Sequence, residues 1–222
     1  MTGGLPSGLE IRHIPLDVAT EADRSLLSPA EIARADAFLF PRHRRRYTAC
    51  HAAVRRILGE RLSREPTALE FEQAPYGKPS LLDAPGFFFN LSHSGEHALL
   101  ALYDGGEIGV DIEWVNPERR VLAISDRYFS TQEQTQLHDL AASEHTRAFH
   151  RLWACKEATI KASGLGLRAG LQSFSVELVG HLEARLVDST EWILREIECV
   201  PGFTSAVVWP RAASASGSAQ SQ

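Results

Sequence analysis

The sequence predicts an α+β fold built in two halves. Helical patterns followed by strand patterns occur twice along the chain. A helix-start signal opens both runs, at Ser28 and at Ser130. The strand patterns are short and bounded by Gly, Pro, Asn or Asp. Bulk composition agrees: 222 residues, 44% hydrophobic and 23% charged, supply core for one large domain or two small ones. A net charge of −5 argues against a bulk nucleic-acid binder.

Taken in order, residues 1–8 are rich in Gly and Pro and read as loose. Leu9–Val18 alternates apolar and polar residues and contains Pro15, which predicts an edge strand. Ser28-Pro29-Ala30-Glu31 is a capping box with Pro at the first helical position, opening a helix to about Phe40. Pro41-Arg42-His43-Arg44-Arg45-Arg46 is a basic patch leading into a second helix, Tyr47–Leu62. Such a patch suits a phosphate, or is a solvated charged turn. A strand is predicted over Glu65–Gln73, then a turn, Pro75-Tyr76-Gly77-Lys78-Pro79, presenting Lys78. Gly86–Leu91 reads as an aromatic strand, Ser92–Gly95 as a polar loop, His97–Tyr103 and Ile108–Trp114 as strands.

Helical pattern resumes around Arg119–Asp126 and again after Ser130, with Glu133 three residues on, through about Leu140. A longer helix covers Glu144–Ser163, with Gly164 as its C-cap. Strands follow at Ser173–Leu178, Leu182–Val187, Trp192–Cys199 and Thr204–Trp209, and the tail from Arg211 is low in complexity and reads as disordered. The halves divide as 1–104 and 105–210, with 211–222 as the tail. Cys50, Cys155 and Cys199 form no C-x-x-C and suit reduced thiols. No apolar run approaches the roughly 20 residues a bilayer demands. With no leader pattern at the N-terminus, the expectation is a cytoplasmic protein with no membrane and no nucleic-acid partner.

The chemistry concentrates in two stretches. In Gly109-Val110-Asp111-Ile112-Glu113, strand alternation puts Asp111 and Glu113 on one face. Two adjacent carboxylates repel unless a cation is present. In Trp153–Gly166, Glu157 and Lys161 lie one helical turn apart. Alone, that spacing reads as a surface ion pair, and D-x-E as an exposed strand face. Taken together, three carboxylates make a hard-oxygen site for Mg2+, with Mn2+ equally acceptable. Ser92 and His93 offer a hydroxyl and an imidazole. A Ser–His nucleophile is rejected, because there is no G-x-S-x-G elbow and neighbours on extended backbone point apart. Anion binding fits better, and a structural loop histidine fits as well. Arg46, Lys78, His93 and Lys161 form a cationic set, and Asp111, Glu113 and Glu157 an anionic one. A polyphosphate bridged by Mg2+ satisfies both.

G-V-D-I-E-W and W-A-C-K-E-A-T-I-K-A-S-G-L-G closely resemble the signature of the 4'-phosphopantetheinyl transferase superfamily. Upstream, Y-G-K-P, F-N-L-S-H-S-G and the Arg-rich helix entry resemble its broad-specificity, surfactin-synthetase-activating branch. The resemblance spans about Ser28 to Trp209. It implies a pseudo-twofold pair of similar α/β subdomains with the active site between them, acting as a monomer. It implies transfer of phosphopantetheine from coenzyme A to a serine of an acyl or peptidyl carrier protein, in fatty-acid, polyketide or peptide synthesis, releasing adenosine 3',5'-bisphosphate. By matching position, Asp111, Glu113 and Glu157 are expected to hold Mg2+, with Glu157, directly or through water, the candidate base, and Lys161 on the attacked phosphate or steadying the leaving group. Arg46 and His93 are expected on the 3'-phosphate, with Lys78 and Ser92 nearby. Of two basic residues expected on the first helix, Arg34 matches one, while Glu31 stands at the other. Trp153 is expected to pack. Arg119 and Arg127 are candidate carrier contacts. A non-catalytic coenzyme A-binding module and a Mg2+-dependent phosphohydrolase are the alternatives.

Overall fold

The computed structural model describes residues 4–18, 20–73, 77–164 and 170–212. The expected tail from 213 onward, Pro75 and Tyr76 of the expected turn and the Leu165–Gly166 end of the helical motif therefore lie outside the described residues.

The chain runs β1 (Glu10–Pro15), α1 (Glu21–Arg24), α2 (Pro29–Asp36), α3 (Pro41–Leu62), a 3-10 turn (Pro66–Ala68), β2 (Phe71–Gln73), β3 (Pro79–Leu81), β4 (Phe88–Ser94) and β5 (His97–Tyr103). It continues with β6 (Gly109–Trp114), α4 (Val121–Tyr128), α5 (Thr131–His138), α6 (His145–Ser163), β7 (Val176–Gly180), β8 (Glu183–Leu186), β9 (Trp192–Ile197) and β10 (Phe203–Pro210). Two antiparallel sheets result, ordered β1-β5-β4 and β6-β10-β9, with hairpins β2-β3 and β7-β8 beside them. Moving five strands along the chain converts the first sheet order into the second. The two halves are thus similar in topology, as expected for the fold.

Each central strand is buried on both faces, which explains its unbroken apolar run. In β5, Ala98, Leu100 and Leu102 enter a core with Val54 and Leu58 of α3. Leu99 and Ala101 face the other way, into a core shared with Val110 and Ile112 of β6 and Val207 and Trp209 of β10. In β10, Ala206 and Val208 face α6 residues Leu152, Ala154 and Ala158. The shared core joins the halves. Where β4 and β6 approach, side chains replace a backbone ladder: Val110 N–H donates to Asn90 Oδ1 at 2.9 Å and Trp114 N–H to Ser94 Oγ at 3.0 Å.

Both helix-start signals hold, and both glutamates do more than cap. Glu31 accepts from Ser28 N–H at 2.7 Å and from Arg55 Nε on α3 at 2.8 Å. Arg55 continues to the carbonyl of Leu69 at 3.0 Å. In the second half, Glu133 accepts from Ser130 N–H at 2.8 Å and from Lys156 Nζ on α6 at 2.5 Å, and Lys156 continues to the carbonyl of Phe174 at 2.7 Å. The same clasp, from capping-box glutamate to helix cation to carbonyl, recurs in both halves. Lys156 and Glu133 are fully buried, so losing either leaves an unpaired interior charge.

Several sequence expectations shift. Ser92 and His93 sit inside β4 rather than in a loop, because Asn90, Ser92 and Ser94 alternate onto the β6 seam, where polar side chains find partners. The Arg-rich patch lies within the first turns of α3, which begins at Pro41, since Pro is well placed at the first helical position. α2 ends at Asp36, short of Phe40. The stretch from Glu65 is a 3-10 turn before a three-residue strand. Helix α1 and strand β3 carry no strong sequence signal. No helix among the described residues is long and apolar enough to cross a membrane.

α6 lies directly on β6 at Gly109. A Cβ built there would stand 2.0 Å from the Ala158 carbonyl oxygen and 2.4 Å from the Ala162 nitrogen. Gly109→Ala therefore forces the helix off the strand and should cost about 1–3 kcal/mol. Urea unfolding measures it, and an unchanged midpoint would show that α6 is not seated there. The Glu31 clasp has a pH signature. Against the cost of burial, the bonds from His51, Ser28 and Arg55 hold its carboxyl down at about 2, below its ordinary 4.5. A depressed carboxylate stabilises the fold above its unfolded value and loses that contribution as pH falls toward the folded one. The stability gap between wild type and Glu31→Gln should be complete at pH 7 and close between pH about 4.5 and 2, as seen in paired unfolding curves.

Candidate active site

β6 and α6 place the acids. Strand alternation sends Val110 and Ile112 into the shared core and turns Asp111 and Glu113 the other way, toward α6. The helical period carries Glu157 and Lys161 on one face, above the contact at Gly109. Lys161 Nζ lies 2.6 Å from Asp111 Oδ1 and 2.9 Å from Ser92 Oγ, while Ser92 Oγ donates to the same Asp111 oxygen at 2.7 Å. Strands from both halves and helix α6 thus meet at one carboxylate. Asp111 Oδ2 is buried and has no hydrogen-bond partner among the described residues.

The electrostatics are those of crowded acids. Burial pushes Asp111 up, against the pull of Lys161 and Ser92. Glu113 is pushed up to about 7 by burial and then by Asp111, with Glu157 adding and Arg119 and Lys161 opposing. Glu157 is raised by burial and by Asp111, against Lys161. Glu113 feels Asp111 and Glu157, and Glu157 feels Asp111, so the three share one neighbourhood. Among the described residues no three acids, histidines or cysteines stand ready as a ligand cluster. Lys161 is the counter-ion of Asp111 in this arrangement. The donor set nevertheless fits a hard divalent cation: oxygen ligands only, one buried oxygen without a partner, and mutual repulsion that a cation relieves.

The cationic residues divide. His93, on β4, is held below 6.5 by burial and then by Lys161 and His51. Arg34 is exposed on α2, its guanidinium 5.6 Å from the centre of the Phe38 ring. Arg46 is turned to Asp17, at 2.7 and 2.9 Å, with Glu96 at 3.7 Å. Lys78 donates to Glu107 Oε2 at 2.6 Å and to the carbonyls of Ile108 and Lys161 at 2.8 and 3.0 Å. An ammonium has three hydrogens, so Lys78 is spent as a bridge between the halves.

Other residues complete the surroundings. Trp153 packs against Phe129, Phe149 and Tyr128, which agrees with a packing role. Arg119 lies 5.4 Å from the Trp153 ring centre and lowers Glu113, which ties it to the acids. Lys156 belongs to the buried clasp, away from the acids. Sequence reasoning missed His51, whose Nδ1 lies 3.1 Å from Glu31 Oε1 and whose ring stacks on Tyr47 at 4.0 Å. The i, i+4 spacing of Tyr47 and His51 was the available signal.

Comparison with known proteins identifies the family. A family model described as the 4'-phosphopantetheinyl transferase superfamily matches residues 107–202, which include β6 and α6. The 4'-phosphopantetheinyl transferase HetI of Nostoc sp. is 37% identical over 199 residues, 87% of this chain and 84% of that protein. The 4'-phosphopantetheinyl transferase Sfp of Bacillus subtilis is 33% identical over 186 residues, 82% of each chain. The 4'-phosphopantetheinyl transferase psf-1 of Bacillus pumilus is 34% identical over 186 residues, 82% of this chain and 78% of that protein. The chain belongs to the 4'-phosphopantetheinyl transferase superfamily and is an enzyme of that class.

Proposed function

We propose that the protein transfers the 4'-phosphopantetheine group of coenzyme A to a serine hydroxyl of an apo acyl or peptidyl carrier protein, releasing adenosine 3',5'-bisphosphate. One observation carries this: Asp111 and Glu113 of β6 face Glu157 and Lys161 of α6 beside Ser92 and His93 of β4. Asp111, Glu113 and Glu157 would hold Mg2+, or Mn2+. Held there, the cation would supply charge neutralisation for the coenzyme A diphosphate.

The chain's own groups do the rest. Glu157 accepts the proton of the carrier serine. The serine oxygen bonds to the phosphorus bearing pantetheine, and the bond from that phosphorus to the bridging oxygen breaks. Lys161, beside Asp111, would stabilise the phosphoryl charge. Ser92 fixes the Asp111 oxygen that Lys161 also holds. His93 and Arg34 would bind the nucleotide. Both halves of one chain supply the site, which supports action as a monomer. Among the described residues the three cysteines are unpaired, which supports a reducing, cytoplasmic setting.

Incubation with coenzyme A, Mg2+ and an apo-carrier should add one phosphopantetheine to the carrier serine, read by intact-protein mass spectrometry. Asp111→Asn and Glu157→Gln should each lower the rate by about 10² or more. No mass gain on any of several carriers would end the proposal, as would full activity in both variants. Hydrolysis of coenzyme A without a carrier would instead favour a phosphohydrolase.

A further inference from the structure

His150 stands on α6, fully buried, and the transfer chemistry makes no use of it. Its partners fix its tautomer. Nδ1 faces the carbonyl of Thr146 at 2.7 Å, and a carbonyl only accepts, so Nδ1 carries the hydrogen. Burial and then Arg119 hold the imidazole below its ordinary 6.5, against the pull of the Thr146 bond, which leaves the ring neutral near pH 7. Nε2 is then a pure acceptor, and it takes the backbone N–H of Asn116 at 3.4 Å. A side chain of the helix thus moors the turn between β6 and α4.

Asn116 shapes that turn. Its Oδ1 accepts from Glu118 N–H at 3.0 Å and its carbonyl from Arg119 N–H at 3.3 Å. Arg119 is thereby sent back over α6. Its guanidinium lies 5.4 Å from the Trp153 ring centre and 5.8 Å from that of Phe149, close enough for cation–π attraction. The rings consume none of its hydrogens. Among the described residues the guanidinium donates no hydrogen bond and forms no ion pair.

Trp153, Glu157 and Lys161 follow at four-residue intervals on one face of α6. Lys161 marks the end beside β4, where it meets Ser92. Arg119 covers the other end, about 12 Å along the helix axis, with Glu157 between. From there it also acts on Glu113 of β6. The acids are bracketed by a cation already bonded to Asp111 and a cation with its donors free. In the proposed transfer reaction, on which this inference rests, the nucleotide lies beside β4, so the phosphate bearing pantetheine is the one nearer Arg119. We propose that Arg119 binds an oxygen of that phosphate, and that His150 is a positioning residue, holding Arg119 in place through Asn116. Arg119 is then a coenzyme A contact rather than the carrier contact expected from the sequence.

Calorimetry with Mg2+ and coenzyme A, without carrier, tests this. Arg119→Ala should raise the coenzyme A Kd by about tenfold, and His150→Leu, which gives Asn116 no acceptor, by about threefold. His150→Gln, whose amide oxygen accepts, should recover most of that loss. The double variant should bind no more weakly than Arg119→Ala, because His150 acts only through Arg119. A separate structural effect would multiply the two factors instead. Adenosine 3',5'-bisphosphate lacks the pantetheine-bearing phosphate, so its Kd should stay the same in every variant. Should His150→Leu fail to fold, Asn116→Ala, which loses the bond to Glu118, loosens the same turn and should match its effect. An unchanged coenzyme A Kd in Arg119→Ala overturns the proposal, as does a rise only in the KM for the carrier. Multiplied factors overturn the positioning role of His150. A wild-type protein that modifies no carrier would instead sink the transfer reaction, while the coenzyme A Kd would still report on Arg119.

Discussion

The contact of α6 with β6 at Gly109 fixes the rest of the molecule. A helix can lie that close to a strand only where the strand lacks a Cβ, and Ala158 and Ala162 keep the facing helix surface thin. The consequence is chemical. Two residues along β6, Asp111 points at the helix, and one turn along α6, Lys161 reaches it at 2.6 Å. Moving the helix outward by a methyl group would separate acids that now perturb one another. The approach crowds three carboxylates, which is unfavourable in isolation and useful only with a cation to share.

The two halves solve the same packing problem twice. Each lays a long helix over a three-stranded sheet, and each ties that helix to a preceding short one through a capping-box glutamate. In the second half the clasp is wholly buried, Lys156 to Glu133, and anchors the helix that bears Glu157 and Lys161. In the first half Arg55 is nearly as buried, while Glu31 is 15% exposed and also meets His51. One repeated device thus ties helix to helix in both halves.

Much of this was legible in the sequence. Both capping boxes, the Gly164 C-cap and the placement of Asp111 and Glu113 on one strand face come from local rules and hold. The parts that were not legible depend on partners distant in sequence. Ser92 and Ser94 look like loop residues because their hydrogen-bond partners belong to β6, some twenty positions on. The arginines after Pro41 look like a turn because positive charge opposes the helix dipole at that end, although the helix forms regardless. Nothing local says that Arg46 and Lys78 have acceptors of their own, since Asp17, Glu107 and the Lys161 carbonyl arrive only through tertiary packing.

The central claim is that the acids of β6 and α6 form one cation site. Crystals grown with Mn2+ and coenzyme A, measured at the manganese absorption edge, test it directly. The account predicts a single anomalous peak bounded by carboxylate oxygens of Asp111, Glu113 and Glu157. A peak elsewhere, or none between these side chains while coenzyme A is bound, would contradict it.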